Sequence, residues 1–154
     1  MSIEVRPISA EQHLGFVADR GSASFLQTPA WGKVKPEWRS ESVGFFDGGE
    51  LTGVGLVLYR QLPRLRRYLA YLPEGPVLDW ARADVGEHLR ALVAYAKAKR
   101  AFAVRIGPTL VHRRWYADTI KAAVADDAVT RLSQAAPDAT DLVATRLRNT
   151  LLHG

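Results

Sequence analysis

An α+β fold with a mixed, mainly antiparallel sheet flanked by helices is what this sequence predicts, and three stretches predict it. Val43-Gly-Phe-Phe46 and Leu51 to Arg60 are apolar runs around Asp47-Gly-Gly-Glu50, a strong β-hairpin pattern. Tyr68 to Leu72 is short, aromatic and aliphatic, and bounded by turn residues, so it reads as a mostly buried strand. Val85, Leu89, Leu92, Val93 and Ala96 recur at helical spacing and make one apolar face.

In chain order, Ile3 to Ile8 alternates apolar and polar residues as a half-buried strand does. Ser9 with Gln12 three residues on forms a capping box, and His13, Phe16 and Val17 continue the helix toward a stop at Gly21. Thr28 before Pro29 starts a second, short helix that carries Trp31, Val34 and Lys35 and ends at Pro36. The hairpin follows, and Gly53 and Gly55 in its second strand mark either a bulge or a close backbone approach. Arg60 to Arg67 is a basic connection with four arginines, which either stay solvated or meet an anionic partner.

Pro73-Glu-Gly-Pro76 stops the central strand. Gly75 can adopt a positive φ, and Pro76 removes a donor, so a sharp bend is expected. Such a bend presents backbone N–H and C=O groups at one defined place. It suits a ligand cleft, and equally a plain corner from strand to helix, with Val77 to Trp80 leading off toward that helix. Asp84 and Glu87 form a second capping-box pattern, and Lys97, Lys99 and Arg100 load the C-terminus of the helix favourably. Ala101 to Ile106 reads as a strand with Phe102, Val104 and Ile106 on one side, broken by Gly107-Pro108. Trp115, Ile120, Ala123 and Val124 suggest a further helix, Gln134 to Asp138 a loop, and Leu142, Val143, Leu147 and Leu151 a final amphipathic helix. Strand, helix, hairpin, central strand, helix, strand, helix resembles the order of the GNAT-like acyltransferase fold.

The chain has 154 residues, of which 47% are apolar, enough for one domain, residues 1–154, with its own core. There are no cysteines, which excludes disulfides, thiolate metal sites and thiol catalysis. No apolar run approaches the roughly 20 residues of a membrane span, and the N-terminus lacks the pattern of a signal peptide. A cytoplasmic location is expected. The net charge of +5 either serves solubility or favours anionic partners such as nucleic acid, nucleotide phosphates or acidic lipid heads.

Chemistry-bearing patterns are sparse. His13, His88, His112 and His153 are far apart without ligand spacing, so no metal is expected. There is no nucleophile elbow and no paired-carboxylate arrangement, so no catalytic residue is named. Acetyl-CoA binders of the GNAT-like fold follow the central strand with a glycine-rich loop whose N–H groups hold the pyrophosphate. Pro-Glu-Gly-Pro removes donors and adds a repelling charge there, so coenzyme A is disfavoured and no cofactor is expected. Trp31 and Lys35 are four apart and share a helix face. They either hold a sugar or nucleotide phosphate, or pack on the core with the lysine stem lying along the indole.

Four segments together resemble the FemA/FemB/FemX peptidoglycan bridge-forming aminoacyltransferases. They are Phe25-Leu-Gln-Thr-Pro-Ala-Trp-Gly-Lys-Val-Lys35, the hairpin Val43 to Arg60, Leu69 to Asp79 with its Tyr-x-Pro-x-Gly-Pro-Val-x-Asp pattern, and Phe102-Ala-Val-Arg-Ile-Gly-Pro108. The resemblance runs from about Ser24 to Leu110. It implies transfer of an amino acid from aminoacyl-tRNA to an amine on a UDP-linked or lipid-linked muropeptide precursor. Peripheral contact with the inner membrane face would go with the lipid-linked form. It implies that Lys35, at the end of the Trp-x-x-Val-Lys segment, helps bind the precursor diphosphate, with Trp31, Tyr71 and Gly75 as further substrate-binding candidates. Gly107 stands where family members commonly carry Asp. Family members are also much longer, so this chain is expected to be the N-terminal half of a longer two-half protein, or a truncated relative, with little activity alone. A coenzyme A-dependent N-acyltransferase and a basic nucleic-acid-binding module, warranted by Arg60 to Arg67, are the competing readings.

Overall fold

The computed structural model describes residues 2–153. Packing divides the chain into two compact units, Met1–Thr109 and Leu110–Gly154.

The first unit is built on one sheet. Strands β1 (Glu4–Pro7), β2 (Arg39–Asp47), β3 (Glu50–Gln61) and β4 (Tyr68–Leu72) pair antiparallel in that order. β6 (Ala101–Ile106) joins β4 in parallel, and the two-residue β5 (Val77–Leu78) pairs with β3. Gly48 and Gly49 supply the positive φ values, 57° and 92°, that a tight hairpin turn requires. The mainly antiparallel α+β architecture read from the sequence is therefore the one observed.

Side chains alternate across the sheet. Val43, Phe45, Val57, Tyr59, Ala70 and Leu72 point to one face and form the core with Leu92 and Ala96 of helix α3 (Val85–Ala98). On the opposite face lie α1 (Ala10–Ala18) and the short α2 (Pro29–Val34), seated over Ser40, Ser42 and Leu56. Gly32 of α2 is buried so closely on Ser40 that an added Cβ would lie 2.5 Å from its Oγ.

Several local expectations hold and others shift. The capping box of α1 forms as expected, with Ser9 Oγ accepting from Gln12 N and Gln12 Oε1 accepting from Ser9 N, both at 3.1 Å. The helix stops at Ala18 rather than near Gly21. Asp84 occupies the N-cap of α3 but caps nothing. Its carboxylate accepts from Arg82 at 2.8 and 2.7 Å instead, because a bidentate guanidinium outcompetes a neutral backbone donor. Val77 to Trp80 does not lead directly into a helix, since Val77 and Leu78 first rejoin the sheet as β5. The bulge in β3 falls at Thr52, the residue left over between the pairs Phe45–Gly53 and Phe46–Leu51. Gly53 and Gly55 are instead sites of close approach, with a Cβ on Gly55 falling 2.9 Å from Leu72 Cδ2. In β6 the register shifts beside Tyr68, so Val104 and Ile106 reach the core while Phe102 is left exposed.

The second unit holds the hairpin β7 (Arg113–Arg114) and β8 (Ala139–Thr140), with α4 (Ala117–Ala125) and α5 (Leu142–His153). Asp138 accepts from Tyr116 N at 2.6 Å and from Thr119 Oγ1 at 2.8 Å, which holds its carboxyl below the usual range. Asp141 caps α5 through Ala144 N at 2.8 Å. Trp115 precedes α4 rather than joining it, its indole N–H donating to Ala135 O at 3.1 Å.

His13 is fully buried between α1 and the sheet, its Nδ1 3.0 Å from Ser42 Oγ. Burial lowers its pKa from the ordinary 6.5. The backbone of Gln27 faces the ring and pulls partly the other way, without a hydrogen bond of normal geometry to Nε2. The folded chain thus resists a proton that the unfolded chain accepts below 6.5. His13 contributes stability above that pH and loses it progressively below. Urea midpoints followed from about pH 7.5 to about pH 5.5 should fall, and His13→Gln should flatten that slope. An unchanged slope in the variant would remove His13 as its source.

Candidate functional site

Two of the site candidates, Tyr71 and Gly75, lie where the sheet is interrupted. β3 pairs with β4 as far as Leu58–Tyr71 and with β5 from Val54–Val77. Between these pairs Gly55, Leu56 and Val57 oppose the longer stretch Leu72 to Pro76, so the ladder cannot close. Leu56 N–H and Pro73 C=O would be left buried without strand partners, at a cost of about 1–3 kcal/mol each.

Gln27 supplies both. Its Oε1 accepts from Leu56 N at 3.0 Å and its Nε2 donates to Pro73 O at 2.6 Å. The side chain is 0% exposed. Gln27 closes a 3-10 turn, Phe25–Gln27, capped by Ser24, whose hydroxyl accepts from Leu26 N and donates to the Glu74 carboxylate. The turn is tied to the bend at both ends.

This explains Gly75. The positive φ of the bend, 50°, falls on Glu74 and not on Gly75, contrary to the sequence expectation. What the position needs is the absence of a side chain, because a Cβ there would overlap the Gln27 amide. The Gly75–Pro76 peptide is cis. Gly75 C=O accepts from Gly107 N at 3.2 Å and Gly75 N–H donates to Leu72 O at 3.3 Å. The bend therefore spends Pro73 C=O and both backbone groups of Gly75 on the protein itself, and its service to a site is to hold neighbouring side chains in place.

Helix α2 leaves directly from this lock. Thr28 is its N-cap and Pro29 its first residue, as expected, but the Thr28 hydroxyl turns back to Phe25 O at 2.7 Å. Lys35 Nζ lies 5.4 Å from the centre of the Trp31 ring, and Phe25 meets that ring edge-on at 5.5 Å. One turn later Trp38 N donates to Lys35 O at 3.0 Å, and the Trp38 ring sits 6.2 Å from Tyr71. Arg60 lies over Trp38 at 5.6 Å and Arg105 over Tyr71 at 5.4 Å.

The structure thus joins Trp31 to Lys35 directly and brings Tyr71 to the same segment through Trp38. Gly75 is buried against Gln27. Sequence reasoning missed Gln27, Trp38, Arg60 and Arg105 as contributors. Trp38 lies three residues beyond Lys35, and Arg105 sits between Val104 and Ile106 as the outward residue of a strand, so both had a faint signal. Among the described residues none of Lys35, Arg60 and Arg105 has an ion-pair partner. Three cations beside aromatic faces suit an anion carried on a sugar or a planar group.

The strand order and the parallel β4–β6 pair give a fold of the GNAT-like class. Within that class the FemAB family matches residues 8–138, and the chain belongs to it. A lipid II:glycine glycyltransferase of Staphylococcus haemolyticus is 31% identical over 109 residues, 69% of this chain and 26% of that protein. One of Staphylococcus epidermidis is 30% identical over 112 residues, with the same coverage. The crystal structure of FemX superposes with a TM-score of 0.60 at 27% identity, covering 70% of this chain and 27% of that one. The chain therefore spans about a quarter of the length of the curated relatives it matches.

Gln27 and Gly75 should behave as one unit. Gln27→Leu should lower stability by about 3 kcal/mol, since it strands two buried backbone groups. Gly75→Ala should cost about 2 kcal/mol by overpacking. Combined with Gln27→Ala, which removes the obstructing amide, Gly75→Ala should cost far less than alone. Urea denaturation of the singles and the double measures this, and simple additivity would contradict the lock.

Proposed function

We propose that this chain is the precursor-binding part of an aminoacyltransferase that moves an amino acid from aminoacyl-tRNA to the peptide of a peptidoglycan precursor during bridge formation. The names of the relatives favour lipid II, a lipid-linked precursor, as the acceptor. The reaction belongs at the cytoplasmic face of the membrane, where a lipid-linked precursor presents its diphosphate and peptide. No helix among the described residues is long and apolar enough to cross a membrane.

The observation that carries this reading is the Lys35 ammonium beside Trp31, without an ion-pair partner among the described residues and one turn before Trp38, whose ring sits 6.2 Å from Tyr71. In the proposed complex Lys35 neutralises the diphosphate, and the Trp31 ring gives the adjoining sugar an apolar wall. Tyr71 lines the same surface, with Arg105 behind its ring. Gly75 acts by shape, admitting Gln27. In the transfer itself an amine of the precursor peptide attacks the ester carbonyl of the aminoacyl-tRNA. A C–N bond forms, the ester C–O bond breaks, and the tRNA 3′ hydroxyl leaves with the proton that the amine loses. The part of these residues is to bind and orient the acceptor.

Calorimetry with a UDP-linked muramyl peptide tests the assignment. Lys35→Ala should weaken binding about tenfold or more, the loss of one charge-assisted contact. Added salt should weaken the unsubstituted protein more than the variant. Equal affinities for the two proteins would remove Lys35 from the diphosphate site.

A further inference from the structure

A second concentration of positive charge lies in the β3–β4 connection and the adjoining end of α3, and carries different company. The β3–β4 connection is closed by Leu62 N to Arg67 O at 2.9 Å, Leu65 N to Leu62 O at 3.3 Å and Gln61 Nε2 to Leu65 O at 3.3 Å. Leu65 is held at its tip, 56% exposed, between Arg64 and Arg66. Tyr68 N donates to Arg100 O at 3.2 Å, which ties the end of this loop to the end of α3. Beside it a groove of about 570 Å³ runs between α3 and β6, with Arg67, Lys97 and Arg100 as its cations and Val93 and Phe102 among its apolar residues. Val93 is 52% and Phe102 46% exposed.

Arg64, Arg66, Arg67, Lys97 and Arg100 are all exposed, and none has an ion-pair partner among the described residues. We propose that this face, the Leu62–Arg67 loop with the C-terminal end of α3 and the start of β6, is a docking surface for an anionic lipid bilayer. The proposal deepens the reading above by naming the face that meets the membrane.

Composition decides the kind of partner. Cations rimming exposed aliphatic side chains match a headgroup layer, where phosphates meet the charges while Leu65 and Val93 leave water. Against a nucleic-acid backbone those aliphatic groups gain little, and Phe102 is the one exposed ring in the set able to stack on a base. A second copy of the chain meeting this face with the same face would set the same cations against each other and be repelled. An anionic surface is the partner that charge complementarity selects.

The test is co-sedimentation of the whole chain with vesicles of phosphatidylcholine, alone or with about a third phosphatidylglycerol. Partition into the anionic vesicles and not the neutral ones is expected. Arg66→Ala with Arg67→Ala should weaken it about 25-fold, at about fivefold per cation. Leu65→Ser should weaken it severalfold while leaving its salt dependence unchanged. All three substitutions lie in an exposed loop, and circular dichroism checks that the fold is kept. Lys35→Ala should bind vesicles as the unsubstituted protein does, so a failed diphosphate site and a failed membrane face give different results. Equal binding to neutral vesicles, or variants that bind undiminished, would overturn the proposal. Binding of a single-stranded RNA oligonucleotide by this patch without vesicle binding would also overturn it, and would assign the face to nucleic acid.

Discussion

One side-chain amide holds the working end of the first unit together. Gln27 takes the place of a rung in the β-ladder, accepting from Leu56 and donating to Pro73 where β4 leaves the sheet. A primary amide has the donor and the acceptor that a peptide group has, so it can complete an interrupted ladder from outside. Without it the bend would bury two unsatisfied backbone groups, and β5 would have no fixed route back to β3. Gly75 is the counterpart of Gln27, since only a residue without Cβ leaves room for the amide.

The placement of α2 follows from that lock. The helix begins two residues after Gln27, so the Trp31–Lys35 pair is anchored by the same contacts that shape the bend. Gly32 lets α2 sit directly on Ser40 of β2 and fixes its other side. Trp38 then spans from the end of α2 to Tyr71 on β4. Rigidity here is a consequence of packing and backbone pairing, and a preorganised cation beside an apolar ring loses little entropy on meeting an anion.

Two sets of cations in this unit, each without an ion-pair partner among the described residues, differ in what surrounds them. Lys35, Arg60 and Arg105 stand over aromatic rings. Arg64, Arg66, Arg67, Lys97 and Arg100 border exposed aliphatic groups and one phenyl ring. Charge alone would draw anions to both, and the apolar partners make the difference. Flat rings suit a sugar or base carried on a phosphate, whereas exposed aliphatic groups suit a headgroup layer. The family match, residues 8–138, includes both sets.

Much of the fold was legible in the chain because its signals are local. Ser9 with Gln12, Gly48-Gly49, the apolar run Tyr68 to Leu72 and the helical face of Val85, Leu89, Leu92 and Ala96 each depend on neighbours a few residues away, and each formed as its spacing predicts. Val93, expected on that helical face, turns to solvent, and His88 is buried in its stead. Trp31 and Lys35 were also local, four apart, although α2 ends at Val34 and Lys35 follows it as the C-cap rather than as a helical residue. What only the tertiary structure decided involves partners far along the chain. That Gln27 is buried against Pro73 and Leu56, that Gly75 is needed for space rather than for a positive φ, and that Trp38 rests by Tyr71 all arise from contacts across dozens of residues. Asp84 makes the same point, since its spacing to Glu87 announced a cap and a neighbouring guanidinium in the folded chain took the carboxylate instead. Local spacing specifies which elements form. Which buried polar group satisfies which other is settled only when those elements meet and exclude water.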